Sequence, residues 1–214
     1  MVFTGDEFAD GGNIIAATLR SEKLKASFFL TGNFYRNPAF KKIIQQLKKD
    51  GHYLGPHSDK HLLYCDWDRR DSLLVNKAQF TKDLSDNYTA MAKFGVGKQE
   101  APYFLPPYEW FNDSITIWTK ALGLQLINFT PGTRSNADYT FPGPGNYKSS
   151  QVIYQSIIDF EKNQPAGLNG FILLLHIGTD TRRTDKFYTR LAELVKFLRQ
   201  SGYTFVTVKE LLHK

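Results

Sequence analysis

Cysteine is almost missing from this chain: Cys65 stands alone among 214 residues. No internal disulfide can form, so a small stapled scaffold is excluded, and no zinc site can be built from thiolates. Any metal must be held by histidine, aspartate or glutamate. Long apolar runs are also lacking, since no stretch approaches the roughly 18 consecutive apolar residues of a membrane helix. Blocks of like charge are absent too. The 27 Lys and Arg outnumber 21 Asp and Glu for a net charge of +6, but the basic residues fall in pairs such as Lys41-Lys42 and Lys48-Lys49. That spacing describes solvated helix faces and argues against a nucleic-acid surface. The opening Met-Val-Phe-Thr-Gly-Asp-Glu has neither the basic start nor the apolar stretch of a signal peptide, so a leader or upstream segment is expected outside this chain.

What is present is apolar and aromatic: 42% hydrophobic residues, with 17 Phe, 11 Tyr and 3 Trp, supply a core that disordered chains lack. Short strand-like runs alternate with amphipathic segments, the pattern of β-α units around a parallel sheet. Strands are expected at Val2–Thr4, Ala26–Leu30, Tyr53–Gly55, Tyr103–Leu105, Gln125–Asn128, Phe171–Leu175 and Thr204–Val206. Helices are expected at Gly12–Glu22, Pro38–Lys49, Asn76–Phe94, Asp113–Ala121, Ser149–Lys162 and Asp185–Gln200. Asn37 before Pro38 is a cap followed by a first-turn proline. Two segments, Asp59–Asp71 and Thr130–Lys148, break the rhythm and read as functional loops; the prolines and glycines of the second exclude a helix there. With no linker or repeat, residues 1–214 read as one α/β barrel-like domain.

Parallel strands place all their C-terminal ends at one mouth. Residues just past those ends therefore share a site: Asp6 and Glu7, His57 and His61, Pro106, Pro107 and Tyr108, and His176. His52 and His213 fall elsewhere and read as surface histidines. In a helical turn, His57 and His61 would share one face within reach of a single ion. A carboxylate from another strand end would complete a two-His-one-carboxylate set, with Glu7 the natural choice. Asp6 and Glu7, adjacent on extended chain, point apart and so take different roles. His176 is suited to proton transfer, with Asp138 placed to orient it.

The order of an acidic pair, His57-Ser58-Asp59-Lys60-His61, Pro106-Pro107-Tyr108 and Leu174-Leu175-His176 resembles the NodB-type polysaccharide deacetylases, carbohydrate esterase family four. Lys25–Gly32 resembles that family's second strand, and the likeness spans nearly the whole chain. It implies a distorted (β/α)7 barrel and a metal-dependent hydrolase that removes N- or O-acetyl groups from chitin-like, peptidoglycan or xylan-type glycans. It further implies Asp6 as general base, Glu7, His57 and His61 as metal ligands, the Tyr108 N–H as oxyanion donor and His176 as general acid. The cofactor implied is a divalent metal, Zn²⁺ first, with Co²⁺ or Ni²⁺ as alternatives. Pro107, Tyr108, Trp110, Asp138, Tyr139 and Leu174 are the implied substrate contacts, Leu174 lining the acetyl pocket and the aromatics, Phe111 among them, offering faces to sugar rings. The partner is an acetylated polysaccharide, and the implied location is secreted, periplasmic or cell-surface.

The sequence departs from the family at four positions. Leu105 stands where the family has the arginine that orients the base, Glu7 replaces an aspartate, and Phe8 and Glu109 replace glycines. A second register would make Asp10 the ligand. Three other readings stay open: a carbohydrate-binding relic without activity, favoured by Leu105; a glycoside hydrolase using Asp6 and Glu109; and nucleic-acid binding, which rests on net charge alone.

Overall fold

The computed structural model describes residues 1–213; the expected domain 1–214 ends in Lys214, which lies outside the described residues. Six strands form: β1 (Val2–Gly5), β2 (Ser27–Leu30), β3 (Tyr53–Pro56), β4 (Tyr103–Phe104), β5 (Gln125–Leu126) and β6 (Leu174–His176). Four of them make a parallel sheet in the order β3-β2-β1-β6, and β4 and β5 pair in parallel beside it. Helices α1 (Gly12–Ser21), α2 (Gly32–Arg36), α3 (Lys41–Lys49), α4 (Lys77–Ala92), α5 (Asp113–Ala121), α6 (Ser150–Asn163), α7 (Leu191–Gln200) and α8 (Val208–Leu212) connect the strands. The architecture is the α/β fold of the distorted (β/α)7-barrel type.

Strands buried on both faces are built from continuous apolar runs. Val2-Phe3 and Phe28-Phe29-Leu30 are all fully buried, and the Phe3 and Phe28 rings stack at 5.0 Å across the β1–β2 pair. The helices bury one stripe each, as in α7 with Leu191, Leu194, Val195 and Leu198. His52 belongs to this core and not to the surface as expected. It is 7% exposed, its ring lies 5.3 Å from Phe28, and its Nδ1 accepts the Ala26 N–H at 3.3 Å. Burial lowers its pKa to about 4. His213 is exposed as anticipated.

The seventh strand is absent among the described residues. Thr204–Val206 is irregular because the chain is already turning into α8, whose capping box joins Thr207 and Glu210, and the Val208 N–H is taken by Ser27 Oγ at 2.9 Å. Where ladders would close the barrel, single bonds stand instead: Leu105 N–H to Pro56 O at 3.4 Å and Thr130 N–H to Ile172 O at 3.0 Å. Asn37 accepts the Ala39 N–H as a cap, but the first turn it starts is a 3-10 turn over Pro38–Phe40 that precedes α3.

The loop 130–148 also departs from expectation, since Ser135–Tyr139 forms a 3-10 turn between Pro131-Gly132 and Pro142-Gly143-Pro144-Gly145. Arg183, wholly buried, holds this loop down. Its guanidinium donates to the Thr140 carbonyl and, at 3.0 and 3.1 Å, to Lys148 O and Ser150 Oγ.

Candidate active site

Because β1, β2, β3 and β6 run parallel, the residues following them emerge at one edge: Asp6, Thr31, His57 and the strand-terminal His176. They open on a cleft of about 720 Å³ lined by Asp6, Glu7, His57, His61, Tyr108, Glu109, Tyr139 and His176, with Trp67 and Asp180 at its rim. Neither lysine nor arginine lines it.

Asp6 turns inward. Its Oδ1 accepts Thr31 Oγ1–H at 2.7 Å and Asn33 Nδ2–H at 3.3 Å. These neutral donors at the start of α2 hold the carboxylate where the family resemblance leads one to expect an arginine. Leu105 in that arginine's place is fully buried and contributes its carbonyl, 2.7 Å from His57 Nδ1. Glu7, the next residue, is exposed to solvent, and the chain at Asp6 and Glu7 is a bend after β1, not the extended segment expected from the sequence. Asp10 lies apart from the histidines: it accepts from the Thr179 N–H at 2.8 Å and Tyr188 Oη at 2.9 Å and pairs with Lys186 at 2.8 Å. Asp10 is thus absent from the cleft lining, which includes Asp6 and Glu7.

His57 and His61 sit on a loop, not the helical turn considered from their spacing; their ring centroids are 5.1 Å apart. Ser58 and His61 adopt φ of 75° and 54°, left-handed values that non-glycine residues take only when neighbours over-determine them. Those neighbours come from α4. Asn87 Oδ1 accepts the His57 N–H at 3.0 Å. Asp83 accepts the Asp59 N–H at 3.1 Å, the Lys60 N–H at 3.2 Å and the Tyr64 hydroxyl at 2.7 Å. The pair is spaced i,i+4, one turn apart on one helix face. Sequence reasoning missed both residues; the one available signal was polar Asp83 and Asn87 on the buried stripe of Phe80, Leu84 and Met91.

The bond to Leu105 O puts the His57 proton on Nδ1 and leaves the Nε2 lone pair free, the usual preparation of a metal-ligating imidazole. Burial, then the neighbouring His61, holds the His57 pKa well below the ordinary imidazole value, so the ring is neutral. Among the described residues no three His, Cys, Asp or Glu side chains are gathered closely enough to hold an ion. The imidazole half of the expected set therefore fits a metal, while the Glu7 carboxylate is on the same cleft without being drawn in.

His176 closes the opposite side. Its Nδ1 lies 2.6 Å from Asp138 Oδ1, and its backbone N–H donates to Asp138 Oδ2 at 2.9 Å. Burial pulls the imidazole pKa down, but the Asp138 charge and hydrogen bond outweigh it, and the net shift is upward. Asp138 is buried, does not line the cleft, and meets it only through its bonds to His176. Leu174 and Pro107 are buried as well and do not line the cleft. Trp110 also stands behind the wall: its Nε1–H donates to Asp66 O at 3.1 Å, and its ring lies 5.5 Å from that of Trp67. Phe111 is likewise outside the cleft. The exposed aromatic faces are instead Trp67, Tyr108 and Tyr139, at 53%, 44% and 49% exposure. Trp67 had no individual signal beyond its position in the loop 59–71.

Tyr108 and Glu109 have φ of 58° and 54°, costing on the order of 1–3 kcal/mol each for non-glycine residues. Pro106 and Pro107 before them and Asn128, whose Nδ2–H donates to Glu109 O at 2.9 Å, maintain the turn. The Tyr108 N–H has no hydrogen-bond partner among the described residues. Thr4 Oγ1, buried in the cleft floor, has none either. Glu109 is half-buried in the wall, and burial raises its carboxyl to about 7.

Fold and site together define the class: a parallel α/β barrel-type protein with an acid–imidazole cleft at the strand ends. The family profile for polysaccharide deacetylase matches residues 9–127, over half the chain, and the chain belongs to that family. Its match takes in both histidines of the loop and Tyr108, and stops short of Asp6 and His176. A peptidoglycan-N-acetylglucosamine deacetylase of Bacillus cereus is 30% identical over 91% of this chain and 78% of the relative. A peptidoglycan-N-acetylmuramic acid deacetylase of Bacillus subtilis is 25% identical over 91% of this chain and 63% of its own length. Solved structures share the fold. A family 4 acetyl xylan esterase from Clostridium thermocellum, in complex with a cobalt ion, superimposes with TM-score 0.75 at 19% identity, covering 99% of this chain and 88% of the other. A CE4 family pseudoenzyme from Bacillus anthracis gives 0.74 at 16% identity, covering 99% and 63%.

Proposed function

We propose that the protein is a metal-dependent hydrolase that removes acetyl groups from an acetylated polysaccharide. The observation that carries this reading is the convergence on one cleft of Asp6, the neutral His57 with its free Nε2, His61, and the His176–Asp138 dyad at 2.6 Å. His57 and His61 would hold the metal, Zn²⁺ first, with the Glu7 carboxylate, which lines the same cleft but faces solvent, completing the set only on turning inward. When bound, such an ion lowers the pKa of water toward about 7 and polarises a carbonyl.

The chain's own residues supply the rest. Asp6, fixed by Thr31 and Asn33, takes the proton from the attacking water at its carboxylate. The unpaired Tyr108 N–H donates to the oxygen on which negative charge develops. His176, whose protonated form Asp138 favours, returns a proton to the leaving amine or hydroxyl. Trp67, Tyr108 and Tyr139 present ring faces to the sugars. The two bacterial relatives named above support a wall or extracellular glycan as substrate, and with it a secreted, periplasmic or cell-surface location; among the described residues no helix is long and apolar enough to cross a membrane.

A glycoside hydrolase built on Asp6 and Glu109 would leave the two loop imidazoles and the dyad without a role. Elemental analysis of bound metal, with acetate and reducing ends both measured on chitin oligomers, acetylated xylan and peptidoglycan, separates the readings. Acetate with stoichiometric metal is expected. Reducing ends without acetate would establish the glycosidase, and binding without either product the inactive relic.

A further inference from the structure

Glu109 is the one carboxyl of the cleft that neither the proposed reaction nor any protein donor uses. No hydrogen bond or ion pair among the described residues reaches its side chain, although Asp6, Asp10 and Asp138 are all partnered. Burial therefore dominates its titration, the nearby His176 charge offsetting it only in part, and no hydrogen-bond donor counters the upward shift. The backbone beneath it is held at φ 54°, beside Tyr108 at 58°, where a glycine would sit without strain. A strained backbone that delivers an unsatisfied carboxyl into a cleft is a position made for a ligand. That cleft has the opposite charge character to the molecule: the chain carries +6, yet among the described residues Asp6, Glu7 and Glu109 line it with no lysine or arginine, and a fourth lining carboxylate, Asp180, is neutralised by Arg182.

We propose that Glu109 is a specificity-determining residue that receives the N–H of an N-acetylated amino sugar, making this cleft selective for amides over acetyl esters. The inference rests on the deacetylase reading. In amide hydrolysis, water adds to the acetyl carbon, the C–N bond breaks, acetate leaves, and the nitrogen takes up a proton to end as an ammonium. The amide N–H, then the ammonium, supplies the donor that Glu109 lacks, beside the His176 that delivers the proton. An ester oxygen carries no hydrogen and meets the carboxylate lone pairs instead.

Steady-state kinetics of the metal-loaded protein on chitin oligomers and on acetylated xylan test this, with Glu109→Gln and Glu109→Gly alongside. The glycine variant relieves the left-handed backbone and keeps the test independent of folding. The wild type is expected to prefer the amide, and both variants to lower the amide-to-ester ratio of kcat/KM by roughly tenfold to a hundredfold, the worth of one charge-assisted hydrogen bond. Calorimetry with glucosamine oligomers should show a matching loss of affinity. A wild type that prefers the ester, or variants in which both substrates change equally, would overturn the role of Glu109 while leaving the deacetylase reading intact. Acetate from neither substrate with the wild type would overturn both.

Discussion

At the scale of the residue, the dyad decides how the site behaves with pH. His176 has its pKa raised in the folded state, with the Asp138 charge and hydrogen bond outweighing burial. Its contribution to stability is thus fully present below the unfolded imidazole value, about 6.5, and is lost as pH rises through the folded one. Asp138→Asn removes the raising partner, so the alkaline limb of the kcat/KM profile is expected to move to lower pH. Activity should fall about tenfold to a hundredfold, as when a partner orienting a functional histidine is lost. A pH–rate profile of the variant checks both. The cleft residues Asp6, Glu7, His57, His61 and His176 were legible in the sequence because each stands at or just past a strand end in a recognisable motif. Thr31 and Asn33, which hold Asp6, were not, because they come from a different element and only the fold brings them within 2.7 and 3.3 Å. Trp67 was hidden for a similar reason: nothing in an irregular loop tells which aromatic faces solvent.

At the scale of the element, α4 is more than a packing helix. Asp83, 5% exposed, has no cationic partner among the described residues and is satisfied by three donors from the histidine loop. A buried carboxylate with several such donors is stable only while all remain. Asp83→Ala leaves two backbone N–H groups and the Tyr64 hydroxyl unsatisfied, at about 1–3 kcal/mol for each buried group. A loss of about 3 kcal/mol or more in urea denaturation is expected, together with weaker metal retention in a chelator competition. Asp83→Asn, which keeps an acceptor of the same shape, should lose less. Elements with long apolar runs or strong amphipathic periods were readable from sequence, β2 and α7 above all. The ones that escaped, α2 and α8, are five residues each and too short to show a period. The expected closing strand was the converse error, the short β-prone run Thr204-Phe205-Val206 overridden by the capping box that begins α8.

At the scale of the molecule, charge is partitioned. The basic surplus rides on helices such as α3, with Lys41, Lys42, Lys48 and Lys49, while the cleft is lined by carboxylates and imidazoles. Binding of cationic glucosamine oligomers should therefore weaken as salt rises from 0.05 to about 0.5 M, where screening shortens to a few ångströms, and binding of neutral oligomers should not; titration calorimetry at the two ionic strengths distinguishes them. The pairing of an acidic cleft with a basic exterior was invisible in the net charge, because composition does not say which carboxylates share a wall. The most direct measurement of the whole account is acetate release from chitin oligomers by the metal-loaded protein and its His57→Ala variant, with bound metal determined on both. The account predicts turnover and stoichiometric metal in the parent, and loss of both in the variant; a metal-free parent indistinguishable from His57→Ala would contradict it.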